Sequence, residues 1–483
     1  MNVPISDETR RWLGLGLLCS AFFMVILDVA IVNVALPSIA VDLDFSQRSL
    51  QWVVSAYALT FGGLLLLGGR AADVLGQRRV FATGVTVFAL ASLLAGVAWS
   101  PALLITARAL QGIGAAAMTP AALSILMTTF SEGAERNKAL GAWGAVGASG
   151  GTIGLLIGGA LTQTVGWTWI FLLNVPIGAT VVALTPALLT KRPPAASKRR
   201  FDLAGAASAT AALSLLVYAV VDANAAGWGS ARTVSLLAVS ALLLAAFAVV
   251  ERRAAAPLLP FRLFRVGVVL GSNVASVLFG AAIFGMFFVI TLYLQRVLGY
   301  SPLEAGLAWL ALSVTALLAS GGGAALVTRV GPRVPLVTGL SIATAGLWLL
   351  SRLPHDARYL HDVMPALAVS GLGIGLAFVT LSIGALEGVN EPDAGLASGL
   401  VNATQQIGGA LGVAILSTVA LSAGFADALL VAASFAAAGA LFAAWAVRAP
   451  APAAEVTTAD TASLEQAALA IRRRPTRDLP GTG

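Results

Sequence analysis

The chain has 483 residues, of which 58% are hydrophobic and 11% are charged, and its formal net charge is +7. Soluble domains carry about 25% charged residues, so this composition excludes an ordinary soluble protein and indicates that lipid surrounds most of the chain. One cysteine and two histidines exclude an intrachain disulfide and leave little material for a metal site, so neither a metal nor another cofactor is expected.

Fourteen apolar runs follow one another along the chain, each close to the length of about 20 residues that a membrane-spanning helix needs. The runs are 12–36, 51–69, 80–99, 102–127, 138–163, 167–189, 203–221, 233–250, 266–295, 303–327, 334–351, 363–386, 395–422 and 427–447. The seventh and eighth are the weakest, being short and rich in alanine, which leaves twelve and thirteen as alternative counts. The sequence therefore predicts an all-α polytopic membrane protein with 14 transmembrane helices.

The basic residues between these runs are distributed unevenly. If the amino terminus lies in the cytoplasm, 23 Lys and Arg residues fall in inside segments and 5 fall in outside segments. Membrane proteins concentrate Lys and Arg on the cytoplasmic side, so both termini are predicted to be cytoplasmic. The same rule accounts for the positive net charge, and no nucleic-acid partner is expected.

Two short basic loops carry the same Gly-x-Arg pattern. Gly76 and Arg78 follow the second run, and Gly331 and Arg333 follow the tenth. The echo predicts two parallel six-helix bundles, 12–189 and 266–447, separated by a two-helix insert at 203–250. The Pro-, Ala- and Thr-rich segment 448–483 is predicted to be a disordered cytoplasmic tail.

Two charged residues of opposite sign lie deep within the predicted spans. Asp28 precedes Pro37 by nine residues in the first span, and Arg108 follows Pro101 by seven in the fourth. At a rise of 1.5 Å per residue, both lie roughly 10–14 Å below the outer surface, so they are expected to pair. Gln111 shares the helix face of Arg108 and is expected to add a hydrogen bond. Asp28 is interpreted as a titratable functional site, and a permanent ion pair that only fixes helix packing is the alternative.

A glycine stripe marks the fifth span, "GAVGASGGTIGLLIGG", at residues 144–159. Five of its glycines follow a 3-4-3-4 spacing that puts them on one helix face, which predicts close approach of another helix: Gly144, Gly147, Gly151, Gly154 and Gly158. A phosphate-binding loop is disfavoured because the stretch has no Gly-Lys-Ser/Thr and lies in the membrane. Other spans carry polar residues, some of which are expected to line a pathway while others bridge helices: Asn33, Asn174, Asn273, Gln295, Asn402, Gln405 and Gln406.

Several stretches occur together in a characteristic order: "LDVAIVNVALP" in span one, "GGRAADVLGQRR" after span two, "ARALQGIGAA" in span four, the glycine stripe, "GWTWIFLLNVPIG" at span six and "ATQQIGGALGVAILSTV" in span thirteen. This set resembles the major facilitator superfamily, specifically its 14-span drug:proton antiporters, over essentially the whole chain. The resemblance implies proton-driven export by alternating access. The substrate is not named by these motifs.

The resemblance also implies roles for individual residues. Asp28 matches the membrane acidic residue of span one, and Arg108 matches the span-four arginine tied to proton coupling. Independently of the resemblance, the polar span residues Gln111, Asn33, Asn273, Asn402 and Gln405 are candidates for the substrate pathway. Two further sets match a loop that locks the outward-open state and an antiporter glycine signature: Gly69, Asp73, Gly76 and Arg78 for the loop, and Gly147, Gly151, Gly154, Gly158 and Gly159 for the signature. Leu155 stands where that signature often has a proline, which removes the usual cause of a helix kink.

The leading hypothesis is a proton-coupled antiporter that exports amphipathic drugs or antibiotics from the cytoplasm. The alternative is a dedicated exporter of one endogenous metabolite, such as a self-made antibiotic, a siderophore or a lipid precursor. An enzyme is not expected, because no His, Cys or carboxylate cluster lies near a membrane face. The proton gradient would supply the energy, and the protein is expected to act as a monomer in the inner membrane of a bacterium.

Overall fold

The structure is a computed structural model that describes residues 6–131, 134–190, 203–253, 267–384 and 394–447. Every regular element in these ranges is helical. The first eight helices are α1 (Asp7–Asp42), α2 (Gln47–Leu50), α3 (Trp52–Leu75), α4 (Gln77–Gly96), α5 (Pro101–Thr129), α6 (Ala134–Thr164), α7 (Thr168–Leu172) and α8 (Asn174–Leu188). The others are α9 (Leu203–Ala226), α10 (Ala231–Arg253), α11 (Gly267–Leu292), α12 (Pro302–Ala308), α13 (Leu310–Val330), α14 (Arg333–Ser351), α15 (Met364–Gly384), α16 (Ala394–Ser422) and α17 (Phe425–Ala446). Short π-helical turns at Tyr293–Val297 and Tyr359–Val363 extend α11 and precede α15.

The predicted apolar runs all fall on helices, which confirms the all-helical class. Eleven helical segments within the described ranges are long and apolar enough to cross a membrane. The predicted spans at 51–69, 138–163 and 203–221 lie on helices whose described apolar stretches are shorter: Trp52–Leu65, Ile153–Thr164 and Ala211–Val220. The count of fourteen spans therefore stays a prediction, and the predicted tail at 448–483 lies outside the described residues.

Helix ends coincide with local signals in the sequence. Ser100 precedes Pro101, and its side chain accepts a hydrogen bond from the backbone of Leu103, so α5 begins with a capped first turn. At α12, Ser301 and Glu304 form a reciprocal capping box. These caps satisfy backbone N–H groups that a helix start leaves without partners.

Helix pairing in the first part of the chain recurs in the last part. In the first part, α1 packs on α6, α3 and α4 pack on α5, and α4 packs on α8. In the last part, α11 packs on α16, α13 and α14 pack on α15, and α14 packs on α17. Counted by predicted span, both series pair the first helix with the fifth, the second and third with the fourth, and the third with the sixth. Between the two series, α9 and α10 pack on each other.

The two loops with the Gly-x-Arg pattern have a common backbone conformation. Gly76 joins α3 to α4 with φ of +98°, and Gly331 ends α13 before α14 with φ of +74°. Residues other than glycine are strained at these positive φ angles, so glycine at both positions permits the turns. We call the end of the bundle at which α1 begins the amino-terminal face; both turns lie there, and α1 ends at the opposite face.

Candidate functional site

A buried ion pair joins α1 to α5. Asp28 and Arg108 are 0% and 1% exposed, and the Arg108 guanidinium donates a hydrogen bond from Nη1 to Asp28 Oδ2. The structure therefore brings together the two residues that were expected to pair from their equal depth and opposite charge. Burying either charge alone would cost several kcal/mol, so each of the two makes burial of the other tolerable.

Gln111 connects the two members of the pair. Its Oε1 accepts a hydrogen bond from Arg108 Nη1 at 2.8 Å, and its Nε2 donates to Asp28 Oδ1 at 3.0 Å. The same amide nitrogen donates to Ser92 Oγ of α4 at 2.7 Å. Gln111 is fully buried. It was predicted as a pathway residue, and the structure places it within the ion-pair network.

Two further helices contribute to the network. Asn174, at the start of α8, donates from Nδ2 to Asp28 Oδ1 at 3.3 Å. Arg108 donates from Nε to the carbonyl oxygen of Val53 in α3 at 2.8 Å. Groups from α3, α5 and α8 thus contact the carboxylate of α1 or the guanidinium of α5 directly, and α4 joins the network through Gln111.

Aromatic rings cover the guanidinium. The Arg108 Cζ atom lies 4.5 Å from the ring centroid of Tyr57 and 5.7 Å from that of Phe171. Such contacts attract a cation through the negative face of the ring and exclude water from it. The Tyr57 hydroxyl and Asn174 Oδ1 are buried without a hydrogen-bond partner in the part of the chain that the structure describes.

The remaining predicted pathway residues lie on α1, α11 and α16. Asn33 donates to the Val29 carbonyl of its own helix at 2.8 Å, and Asn273 donates to Val269 of its own helix at 2.8 Å while accepting from Thr404 at 3.2 Å. The other two candidates lie on α16, where Asn402 is exposed and Gln405 is half-buried. Asn273 thus bridges α11 and α16, and the role of these residues in a substrate pathway stays a prediction.

The glycine face of α6 packs against α1 beside Asp28. A Cβ atom at Gly154 would lie 3.0 Å from the Leu27 carbonyl oxygen, and one at Gly158 would lie 2.6 Å from the Ile31 side chain. At Gly147 the nearest atom would belong to Phe22 at 3.3 Å. The close helix approach expected from the spacing is therefore present. It holds α6 against the helix that carries the carboxylate.

Two glycines of the signature do not face α1. A Cβ atom at Gly159 would lie 2.6 Å from the Pro302 carbonyl oxygen at the start of α12, while a Cβ atom at Gly151 would meet no atom within 4 Å. In the predicted locking loop, Gly69 lies near Pro120, with a built Cβ 3.6 Å from it, and Gly76 forms the left-handed turn. Arg78 lines a cavity at the amino-terminal face. The side chain of Asp73 lies outside the described residues.

Hydrogen bonds between distant parts of the chain lie at the opposite face. Gln295 donates from Nε2 to the Val34 carbonyl oxygen at 2.7 Å, which ties the π-helical turn after α11 to α1. The hydroxyl of Ser417 in α16 donates to Gln51 Oε1, and both residues are buried. These contacts join the first series of helices to the last series at the end of the bundle away from the amino terminus of α1.

Two residues of the network were not singled out from the sequence. Ser92 is a single hydroxyl within an apolar run, and Tyr57 is one aromatic residue among many apolar neighbours. The depth of each along its helix was readable, but its direction around the helix axis was not. Within the described residues, no group of three or more His, Cys, Asp or Glu side chains is arranged to hold a metal ion.

Comparisons with known proteins agree with this architecture. A family model described as the Major Facilitator Superfamily matches residues 18–413. The puromycin resistance protein pur8 of Streptomyces alboniger is 44% identical over 419 residues, which are 86% of this chain and 83% of that protein. The cephamycin export protein CmcT of Amycolatopsis lactamdurans is 43% identical over 419 residues, 86% of each chain. A crystal structure of the nucleoside transporter NupG matches with a TM-score of 0.65 and 14% identity over 90% of this chain and 100% of the other, a likeness of fold alone.

Proposed function

Because this chain belongs to the Major Facilitator Superfamily, whose members are membrane transporters, we propose that it exports amphipathic drugs or antibiotics in exchange for protons. Its relatives include a named antibiotic resistance protein and a named antibiotic export protein, which supports efflux as the direction of transport. The buried Asp28 network is the single observation that carries the proton coupling.

The proposed coupling follows from the chemistry of the network. Asp28 is the acceptor for Arg108, Gln111 and Asn174, so a proton on its carboxylate removes the charge that holds these donors. The Arg108 cation then loses its partner while remaining bonded to the Val53 carbonyl. A buried cation without a counter-charge is unfavourable, so the helices α1, α5 and α8 are expected to rearrange until Arg108 is compensated. In this way a proton would drive a change of conformation.

Alternating access requires contacts that form in one conformation and break in the other. The Gln295–Val34 and Gln51–Ser417 hydrogen bonds are candidates, since both join the two helix series at the opposite face. In the proposed cycle the amino-terminal face is cytoplasmic, as the distribution of basic residues predicts, and this conformation is closed toward the outside. Opening toward the outside would separate both pairs.

The finer architecture is part of the proposal. The recurring helix pairing supports two six-helix bundles at 12–189 and 266–447 with a two-helix insert at 203–250, and hence fourteen spans. We place the protein in the inner membrane of a bacterium with both termini cytoplasmic, acting as a monomer with no cofactor other than the proton gradient. Small-molecule substrate, protons and the lipid bilayer are its partners.

A dedicated exporter of one endogenous compound is the second candidate. Each of these two relatives is named for a single antibiotic, which favours a narrow substrate range. A self-made antibiotic is the substrate class that this observation favours over a siderophore or a lipid precursor. Transport of many unrelated lipophilic compounds would support the multidrug form, and transport of one would support the dedicated form.

Substrate-dependent proton release from everted membrane vesicles tests the proposal. Vesicles carrying the wild type are expected to exchange protons for at least one member of a panel of lipophilic cations and neutral antibiotics, and Asp28→Asn vesicles are expected not to. The matched control is Asp222→Asn. Asp222 lies on α9, outside the Asp28 network, and its carboxylate is 2.9 Å from Arg232 Nε. If correctly inserted Asp28→Asn exchanges protons as the wild type does, Asp28 is structural and the coupling proposal is wrong.

A further inference from the structure

A cavity of about 360 Å³ opens at the amino-terminal face. Its walls come from the start of α1, the turn between α3 and α4, the end of α5 and the end of α8. This volume falls within the range of about 300–1,000 Å³ that small-molecule sites occupy. Asp28 and Arg108 do not line it, so the cavity is separate from the proposed coupling site.

The cavity carries an excess of positive charge. Arg10, Arg11 and Arg78 line it together with one carboxylate, Asp7. Asp7 pairs with Arg10 at 3.0 Å, which leaves the charges of Arg11 and Arg78 without an ion-pair partner among the described residues. Two arginines on separate helices facing one cavity favour an anion with several oxygen atoms, because each guanidinium can donate two parallel hydrogen bonds to such a group.

The remaining lining is polar on one side and apolar on the other. Thr128 and Thr129 contribute hydroxyl groups from the end of α5, whereas Leu15, Leu18 and Ile125 form an apolar wall. A free inorganic anion would leave that apolar wall without a matching surface. A ligand with an anionic head and a hydrocarbon part matches both sides of the cavity.

An aromatic pair marks the level of the membrane surface beside the cavity. Trp12 follows Arg11 directly, is 37% exposed, and packs on Phe130 with ring centroids 5.2 Å apart. Tryptophan is enriched where hydrocarbon meets the head groups, and basic pockets at the cytoplasmic side of membrane helices suit anionic lipid head groups. The position of Trp12 therefore places the arginines at the depth where lipid phosphates lie.

We propose that this cavity binds the phosphate head group of an anionic phospholipid, held by Arg11 and Arg78, with acyl chain against Leu15 and Leu18. The bound head group would link α1 to the turn between α3 and α4, so it would stabilise the present arrangement of these helix ends. This inference depends on the membrane location and on the cavity, and it holds whichever compound the protein transports.

Lipid-dependent thermal stability of the purified full chain in a neutral detergent tests the site. Phosphatidylglycerol is expected to raise the unfolding temperature of the wild type, and phosphatidylcholine is expected to do so much less. In the Arg11→Gln/Arg78→Gln variant the apparent affinity for phosphatidylglycerol is expected to fall by about 30-fold, since each basic residue near a membrane surface contributes about one factor of five. The control is Arg253→Gln, at an exposed end of α10, which is expected to respond as the wild type does.

Two further arms keep the proposal falsifiable. Thr128→Glu, which places a carboxylate at an exposed position of the cavity wall, is expected to weaken the phosphatidylglycerol effect even if the double arginine variant does not fold. Glycerol phosphate and inorganic phosphate, added in place of the lipid, distinguish a free anion from a lipid head group. The proposal is overturned if these soluble anions stabilise the wild type as strongly as the lipid does, or if Thr128→Glu and Arg253→Gln respond alike.

Discussion

Removal of one charge from the buried pair is expected to destabilise the protein far more than removal of an exposed charge. Arg108→Gln abolishes the ion pair with Asp28 and the hydrogen bond to the Val53 carbonyl, and leaves Asp28 fully buried with only the amides of Gln111 and Asn174 as donors. An uncompensated buried charge costs about 3–5 kcal/mol, so we expect a loss of that size in the free energy of unfolding.

The chain contains its own control for this prediction. Arg232 and Asp222 form an Asp–Arg pair at 2.9 Å, but the Arg232 side chain is 59% exposed and Asp222 is 18% exposed. Ion pairs with a solvent-exposed member contribute about 0–1 kcal/mol, so Arg232→Gln is expected to lower the free energy of unfolding by no more than that. Both variants remove the same type of charge from the same type of pair, and they differ in burial.

The free energies are measured by reversible unfolding with sodium dodecyl sulfate in mixed micelles, followed by tryptophan fluorescence. The double variant Asp28→Asn/Arg108→Gln removes both charges and is expected to be more stable than Arg108→Gln alone by at least about 1 kcal/mol. This difference exceeds the deviation from additivity of about 0.3–0.5 kcal/mol that independent sites show. Equal losses for Arg108→Gln and Arg232→Gln, or strict additivity in the double variant, would refute the reasoning that the buried charges hold each other.

Three other outcomes follow from the helix contacts. Gly158→Ala is expected to lower the free energy of unfolding by about 1–3 kcal/mol, because its Cβ would lie 2.6 Å from the Ile31 side chain, whereas Gly151→Ala should cost little in the same assay. Gln51→Ala removes the buried hydrogen bond to Ser417, which is worth about 0.5–1.5 kcal/mol. With the native cysteine removed, it should increase labelling of Ala414→Cys, a buried position one turn before Ser417, by an impermeant thiol reagent about 2- to 12-fold, and unchanged labelling would exclude this bond as a gate. Gly76→Ala forces a side chain into a turn with φ of +98° and is expected to cost about 1–3 kcal/mol in chemical unfolding, and a neutral result would mean that the turn relaxes.

Several features of the protein were determined by the sequence alone. The length of each apolar run predicts a helix, and every run lies on one, because a chain without water must satisfy its backbone hydrogen bonds internally. The pairing of Asp28 with Arg108 was also predictable. Depth in a membrane is measured along the helix axis at a constant rise per residue, so two residues in different helices can be compared by counting from the same surface.

Tertiary structure decided which side of each helix meets which neighbour. Counting along the chain put Gln111 near Arg108, but only packing brought Ser92 of α4 and Asn174 of α8 to the same group of hydrogen bonds. The glycine spacing predicted one helix face, and packing brought Gly158 of that face against α1 while it left open space at Gly151. A hydropathy pattern that is apolar all round a helix sets its depth and leaves its rotation open, and the rotation is set by how the side chains of neighbouring helices interlock.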